Sequence, residues 1–143
     1  ITSAEYFRKP HSAAQEAAAR DLIDRRNRLR REWMQETGKV ACPKDPDTGT
    51  EISGKGGGDG DGGFRTPGST TGASNSSHRE ASGIDDYDPG DEFDTWLDSF
   101  ETQNGANSKL AEYGLYREAP EFTKGWTHLT TRAPASGRRT FIP

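Results

Sequence analysis

The stretch "NSSHREASGIDDYDP" (residues 75–89) decides how this chain is read. His78 opens a turn, and Asp85 follows on "GIDDYD", whose pattern predicts a strand with alternating faces. On such a strand Asp85 points to one side and Asp86, its rival as a ligand, to the other. The chain has three histidines, His11, His78 and His128. A lone histidine is ordinarily a surface or hydrogen-bonded residue. His128, however, lies in "GWTHLTTR" (residues 125–132), which also reads as a strand, with Trp126, His128 and Thr130 on one face. Two imidazoles and one carboxylate leave a four-coordinate zinc ion one position for water, which is the catalytic arrangement.

The bulk composition sets the frame for this hint. At 143 residues the chain has the length of one domain, expected to span 1–143. It is 29% hydrophobic and 29% charged, with a mean hydropathy of −1.03. A chain of that kind barely buries enough apolar surface to offset its conformational entropy. Three Trp, six Phe and four Tyr supply large buried areas, and a bound metal is a further source of stability for a small core. A net charge of −4 argues against a global attraction to nucleic acid or anionic membrane. Cys42 is the single cysteine, so neither an intrachain disulfide nor a thiolate zinc cluster is available. No apolar run reaches the length of a membrane span or a signal-peptide core, so a soluble protein made in a cytoplasm is expected.

Residues 12–37 predict one helix, with Ser12 suited to its start and Gly38 to its stop. Ala14, Ala18, Leu22, Leu29 and Trp33, with Ile23 beside them, form its apolar stripe. Its other face carries Arg20, Arg25, Arg26, Arg28, Arg30 and Arg31, interleaved with Asp21, Asp24 and Glu32. That mixture predicts a solvated face rather than a nucleic-acid surface. "KVACP" (39–43) reads as a short strand, and 54–77 as a long Gly/Ser-rich loop wrapping a site. The run "GKGGGDGDGG" lacks the order of a phosphate loop and the register of a calcium loop. Residues 91–103 and 108–116 predict shorter helices, and the tail from 133 a loop ending in an apolar plug. The expected fold class is α+β: a small antiparallel sheet carrying a zinc site, a long N-terminal helix (1–38) packed on it, and one or two shorter helices.

The motifs also fit a known family. "SSHREASGID" resembles the S-x-H-(six residues)-D segment of the zinc D-Ala-D-Ala peptidases, which include bacterial carboxypeptidases, vancomycin-resistance peptidases and phage endolysins. "GFRTP" resembles the Y/F-R-x-P element ahead of it, and "GWTHLTTR" the C-terminal W-x-H strand. Order and spacing match over residues 62–132. "CPKDPDTGTEISG", "DYDP", "GLYREAP" and "RAPASGRRTFIP" are similar to the phage branch, extending the likeness from residue 41 to the C-terminus.

The resemblance implies a Hedgehog/DD-peptidase fold and a zinc metallopeptidase that cuts a D-amino-acid bond in bacterial peptidoglycan. His78, Asp85 and His128 would hold zinc. Arg65 would face the substrate, binding its carboxylate or the polarised carbonyl, and Ser76 matches a hydrogen-bonding serine of the motif. Many members carry the catalytic Asp or Glu three residues before the last histidine, where this chain has Gly125. Glu118, in "YREAP", is therefore the first candidate for general base and Glu121 the second. Ala81 replaces a glycine often found at its position. The implied setting is a bacteriophage lysis or penetration enzyme, held in the host cytoplasm before release to the wall or associated with the virion and its proteins. The alternative is a zinc-stabilised virion structural or wall-binding protein that has lost its base.

Overall fold

The N-terminal half is organised by one long helix. Helix α2 (Ala13–Thr37) begins at a reciprocal cap in which Gln15 N donates to Ser12 Oγ and Ser12 N to Gln15 Oε1. It ends where Gly38 adopts the left-handed conformation. In this computed structural model residues 1–55, 62–64 and 77–143 are described, Arg79 by its backbone alone. A short helix α1 (Ser3–Tyr6), capped by Thr2 and Glu5, precedes α2. Helices α3 (Glu92–Asp98) and α4 (Ser108–Glu112) follow later in the chain.

Four strands form one sheet in the order β1 (Gly83–Tyr87), β3 (Trp126–Thr130), β2 (Tyr116–Glu118), β4 (Thr140–Phe141). β1 and β2 each run antiparallel to β3, while β4 runs parallel to β2. The fold is thus α+β as expected, but the sheet is mixed. The tail expected to be a loop supplies its fourth strand: Arg117 N donates to Arg139 O and Ala119 N to Phe141 O. "KVACP" is not a strand, and Val40 at its centre is fully exposed. The outer edge of β1 is covered instead by residues 51–53, where Tyr87 N donates to Glu51 O and Ser53 N to Asp85 O. Of the long loop expected at 54–77, residues 56–61 and 65–76 lie outside the described residues.

Strand alternation divides the sheet into two faces. Ile84, Leu129 and the helix residues Leu22, Leu29, Trp33, Phe93 and Leu97 build the core on the helix-covered face. Asp86 points into this same face. Its carboxylate takes Arg26 Nε and Nη2 (3.0 and 2.7 Å) and Arg30 Nε (3.1 Å). Asp86, Arg26 and Arg30 are all at most 2% exposed. The arginine face of α2 is therefore not uniformly solvated. Arg20, Arg25 and Arg28 pair with acids one turn back, at Glu16, Asp21 and Asp24, whereas Arg26 and Arg30 turn inward and tie the helix to β1. Arg30 also stacks over the rings of Phe93 (4.0 Å) and Trp33 (4.5 Å). Arg117 plays the matching part on β2, where it pairs with Asp94, Asp98 and Glu101.

Candidate metal centre

The other face of the sheet carries the residues singled out by sequence. β1 and β3 are registered so that Asp85 lies directly opposite His128, which sends both side chains to one side. His78 reaches the same point from a 3₁₀ turn (Ser77–Glu80) that runs into β1 through Ala81 and Ser82. Ala81 sits at φ +58°, in the left-handed region that favours glycine. The alanine is accommodated there at a small backbone cost.

His78 Nε2 lies 3.2 Å from Asp85 Oδ1, and His128 Nδ1 lies 2.9 Å from that same oxygen. The side chains of His78 and Asp85 are 3% and 4% exposed, and that of His128 is 12% exposed. His78 Nδ1 stands 2.7 Å from the carbonyl of Gly63. A carbonyl only accepts, so Nδ1 carries the hydrogen, and a neutral His78 then turns a lone pair on Nε2 toward Asp85. Two acceptors at 3.2 Å are held together by positive charge between them, from a proton or a metal ion. Tetrahedral bonds of about 2.0–2.1 Å to zinc place their ligand atoms roughly 3.3 Å apart. The 3.2 and 2.9 Å separations are close to that edge, and one ligand atom from each residue falls within 4.8 Å of the others. The donor set and its spacing are compatible with a metal centre. Burial alone would raise the Asp85 carboxyl, but His78, with His128 beside it, reverses this and holds it well below the usual carboxylate range.

Glu118 extends this row. β2 pairs with β3 through Tyr116–Thr130 and Arg117–Leu129, and one further step brings Glu118 level with His128. On its far side Glu118 is paired with Phe141 of β4. Asp85, His128, Glu118 and Phe141 therefore cross the sheet in a single line, one from each strand. The Phe141 ring meets the His128 ring edge-on, with centroids 6.3 Å apart. Burial raises the Glu118 carboxyl above its ordinary value, His128 opposes this, and Asp85 reinforces it. A half-buried carboxylate of raised affinity for protons stands beside the three ligand candidates. Glu121, by contrast, is exposed on the 3₁₀ turn Pro120–Phe122. Gly125 holds φ +90°, a conformation strained for any residue with a side chain, and its N–H donates to Asp91 Oδ1. The carboxylate common at this position in the resembling family would not fit that backbone without strain.

Arg65 and Ser76 lie outside the described residues. His11 takes no part in the cluster, because it pairs with Glu16 and stacks on Phe7. Sequence reading missed Ser77, whose Oγ lies 3.3 Å from His128 Nε2, and the Gly63 carbonyl that orients His78. Neither carried a signal of its own, although Ser77 lies inside the opening motif. A second acidic group, Asp88, Asp91 and Asp94, also brings its oxygens within 4.8 Å. Asp88 accepts from the N–H groups of Phe93 and Asp94, Asp91 from Gly125, and Asp94 from Arg117. These acids read as the lock at the start of α3. Comparison with protein-family models, with curated proteins and with solved structures found no match for this chain.

Proposed function

We propose that this protein is a zinc-dependent peptidase of bacterial peptidoglycan, of the D-Ala-D-Ala peptidase type, acting as a phage lysis or penetration enzyme. The observation that carries the proposal is the convergence of His78 Nε2, Asp85 Oδ1 and His128 Nδ1 with Glu118 one strand along the same line. His78, Asp85 and His128 would hold the ion, with the two imidazoles entering through different ring nitrogens. Zinc, when bound, lowers the pKa of a water it holds to about 7 and polarises a carbonyl.

The chain's own residues divide the remaining work. Glu118 accepts the proton of the attacking water and returns it to the amine that leaves as the peptide bond breaks. Its raised proton affinity suits the first half of that task. Arg65 is assigned to the substrate carboxylate or the polarised carbonyl, where a guanidinium stabilises developing charge. Glu121 is the reserve base and Ser76 a substrate-side hydrogen-bonding residue.

The experiment is mass spectrometry of purified cell-wall fragments after digestion, run with a zinc determination on the same protein. The expected result is about one zinc per chain and new fragments ending at a D-amino-acid bond. Glu118→Gln should retain the metal while its rate of fragment release falls by at least about 10²-fold. Absence of zinc from protein prepared without chelator removes the metal assignment. Retained zinc with intact walls favours the non-catalytic wall-binding alternative.

A further inference from the structure

The structure assigns Ser77 as the positioning residue that fixes the ring orientation and tautomer of His128. This assignment concerns a residue for which neither the composition nor the motif spacing gave a role, and it rests on the metal-centre reading of His78, Asp85 and His128.

Two observations carry it independently. The first is the contact: Ser77 Oγ lies 3.3 Å from His128 Nε2, on the opposite side of the ring from Nδ1, which faces Asp85 Oδ1 at 2.9 Å. A neutral imidazole has one N–H and one lone pair. With Ser77 accepting from Nε2–H, the lone pair falls on Nδ1 and is aimed at the metal side. Hydrogen bonds of this kind on the outer nitrogen set which nitrogen binds the ion. His78 is organised in the same way with the roles reversed, since its Nδ1 is held by the Gly63 carbonyl and its Nε2 faces Asp85. The two imidazoles are thus each fixed from behind, one by a backbone carbonyl and one by a hydroxyl.

The second observation is the space that the contact occupies. Ser77 is 4% exposed, and its carbonyl accepts from both Ser82 N and Ser82 Oγ, which anchors its backbone. Gly83 faces it at the start of β1. A Cβ at Gly83 would collide with Ser77 Oγ, come within 2.9 Å of Ser77 Cβ and within 3.1 Å of His128 Cε1. Gly83 is itself held from the other side, because Tyr6 Oη donates to its carbonyl at 2.7 Å. The glycine is therefore what lets the hydroxyl reach the imidazole, and Ser77, Gly83 and His128 form one unit.

Two measurements test the role. In zinc-loaded protein, nitrogen NMR of the histidine rings should show His128 as the Nε2–H tautomer, with a slowly exchanging Nε2 proton. Zinc-loaded Ser77→Ala should lose that protection, with its unfolding midpoint in chelator unchanged. In a competition titration with a coloured chelator, Ser77→Ala should bind zinc about 10–100-fold more weakly than the parent protein. Gly83→Ala, which pushes Ser77 aside while leaving its hydroxyl in the chain, should weaken zinc by a similar factor. Equal zinc affinities for parent and Ser77→Ala, or unchanged protection of the His128 Nε2 proton in the variant, would overturn the assignment. Should the parent protein bind no zinc, the peptidase proposal and the Ser77 assignment fall together, whereas a zinc-binding parent matched in affinity by Ser77→Ala overturns the assignment alone.

Discussion

Asp85 and Asp86 are adjacent, identical in side chain and both almost wholly buried, yet they meet opposite chemistry. Asp85 faces two imidazoles and Asp86 two guanidiniums. A buried carboxylate is tolerated only where positive charge and donors surround it, and each aspartate has its own set. Asp94 shows the other outcome. Burial pushes its carboxyl up to about 7 even with Arg117 beside it, and Asp88 adds to the rise. The folded protein therefore holds a proton on Asp94 that the unfolded chain releases near the ordinary value of 3.8. Stability from this group is complete below about pH 4 and declines as pH rises toward about 7. Replacing Asp94 by Asn should flatten that decline. Urea midpoints of the two proteins, measured across this interval, supply the comparison, with the difference in slope rather than in absolute stability as the readout.

At the scale of elements, α2 and β1 are joined by the Asp86 pair as much as by apolar packing. Asp86→Ala leaves Arg26 and Arg30 buried without their shared carboxylate, for which about 3–5 kcal/mol of destabilisation is expected in denaturant unfolding. A loss below about 1 kcal/mol would show that Glu51, which also pairs with Arg26, suffices to hold the helix. This pair also marks where sequence reading stopped. Helix α2 was legible because Ser12, the 3.6-residue apolar stripe and Gly38 agree with one another. Strands β1 and β3 were legible because motif and alternation coincide on them. The inward turn of Arg26 and Arg30 was not, since an arginine on a helix gives no local sign of whether a buried acid waits opposite. Strand β4 was hidden for a similar reason: two residues, Thr140 and Phe141, pair in parallel with β2, and no periodicity is readable over that length. The ligand candidates stood out by residue type, whereas Ser77 and Gly63 act through a hydroxyl and a backbone carbonyl, groups that every chain has in abundance.

At the scale of the whole molecule, little apolar surface is spread over two thin layers, and ionic links from Arg26, Arg30 and Arg117 supplement the core. On the proposed reading zinc adds a further link among the turn 77–80, β1 and β3. A ligand present at 100 times its Kd contributes about 2.7 kcal/mol. For a domain of this size, about 4 °C per kcal/mol is the corresponding scale, so chelation should lower Tm by roughly 10 °C. Calorimetry with and without chelator measures it. In His128→Ala the same treatment should produce almost no shift, which separates loss of a bound ion from a general effect of the chelator.

The paired aspartates of β1 have one more consequence, which concerns the sliding of strands. A one-residue slip exchanges the two faces of a strand. Were β1 to advance by one position, Tyr87 would come to the place of Asp86, against Arg26 and Arg30; were it to retreat, Ile84 would come to the place of Asp85, between the imidazoles. Either displacement leaves one set of partners facing a side chain with no carboxylate. The strand is thus latched from both sides at once, and its alignment does not depend on the five residues of its own hydrogen-bonded ladder alone.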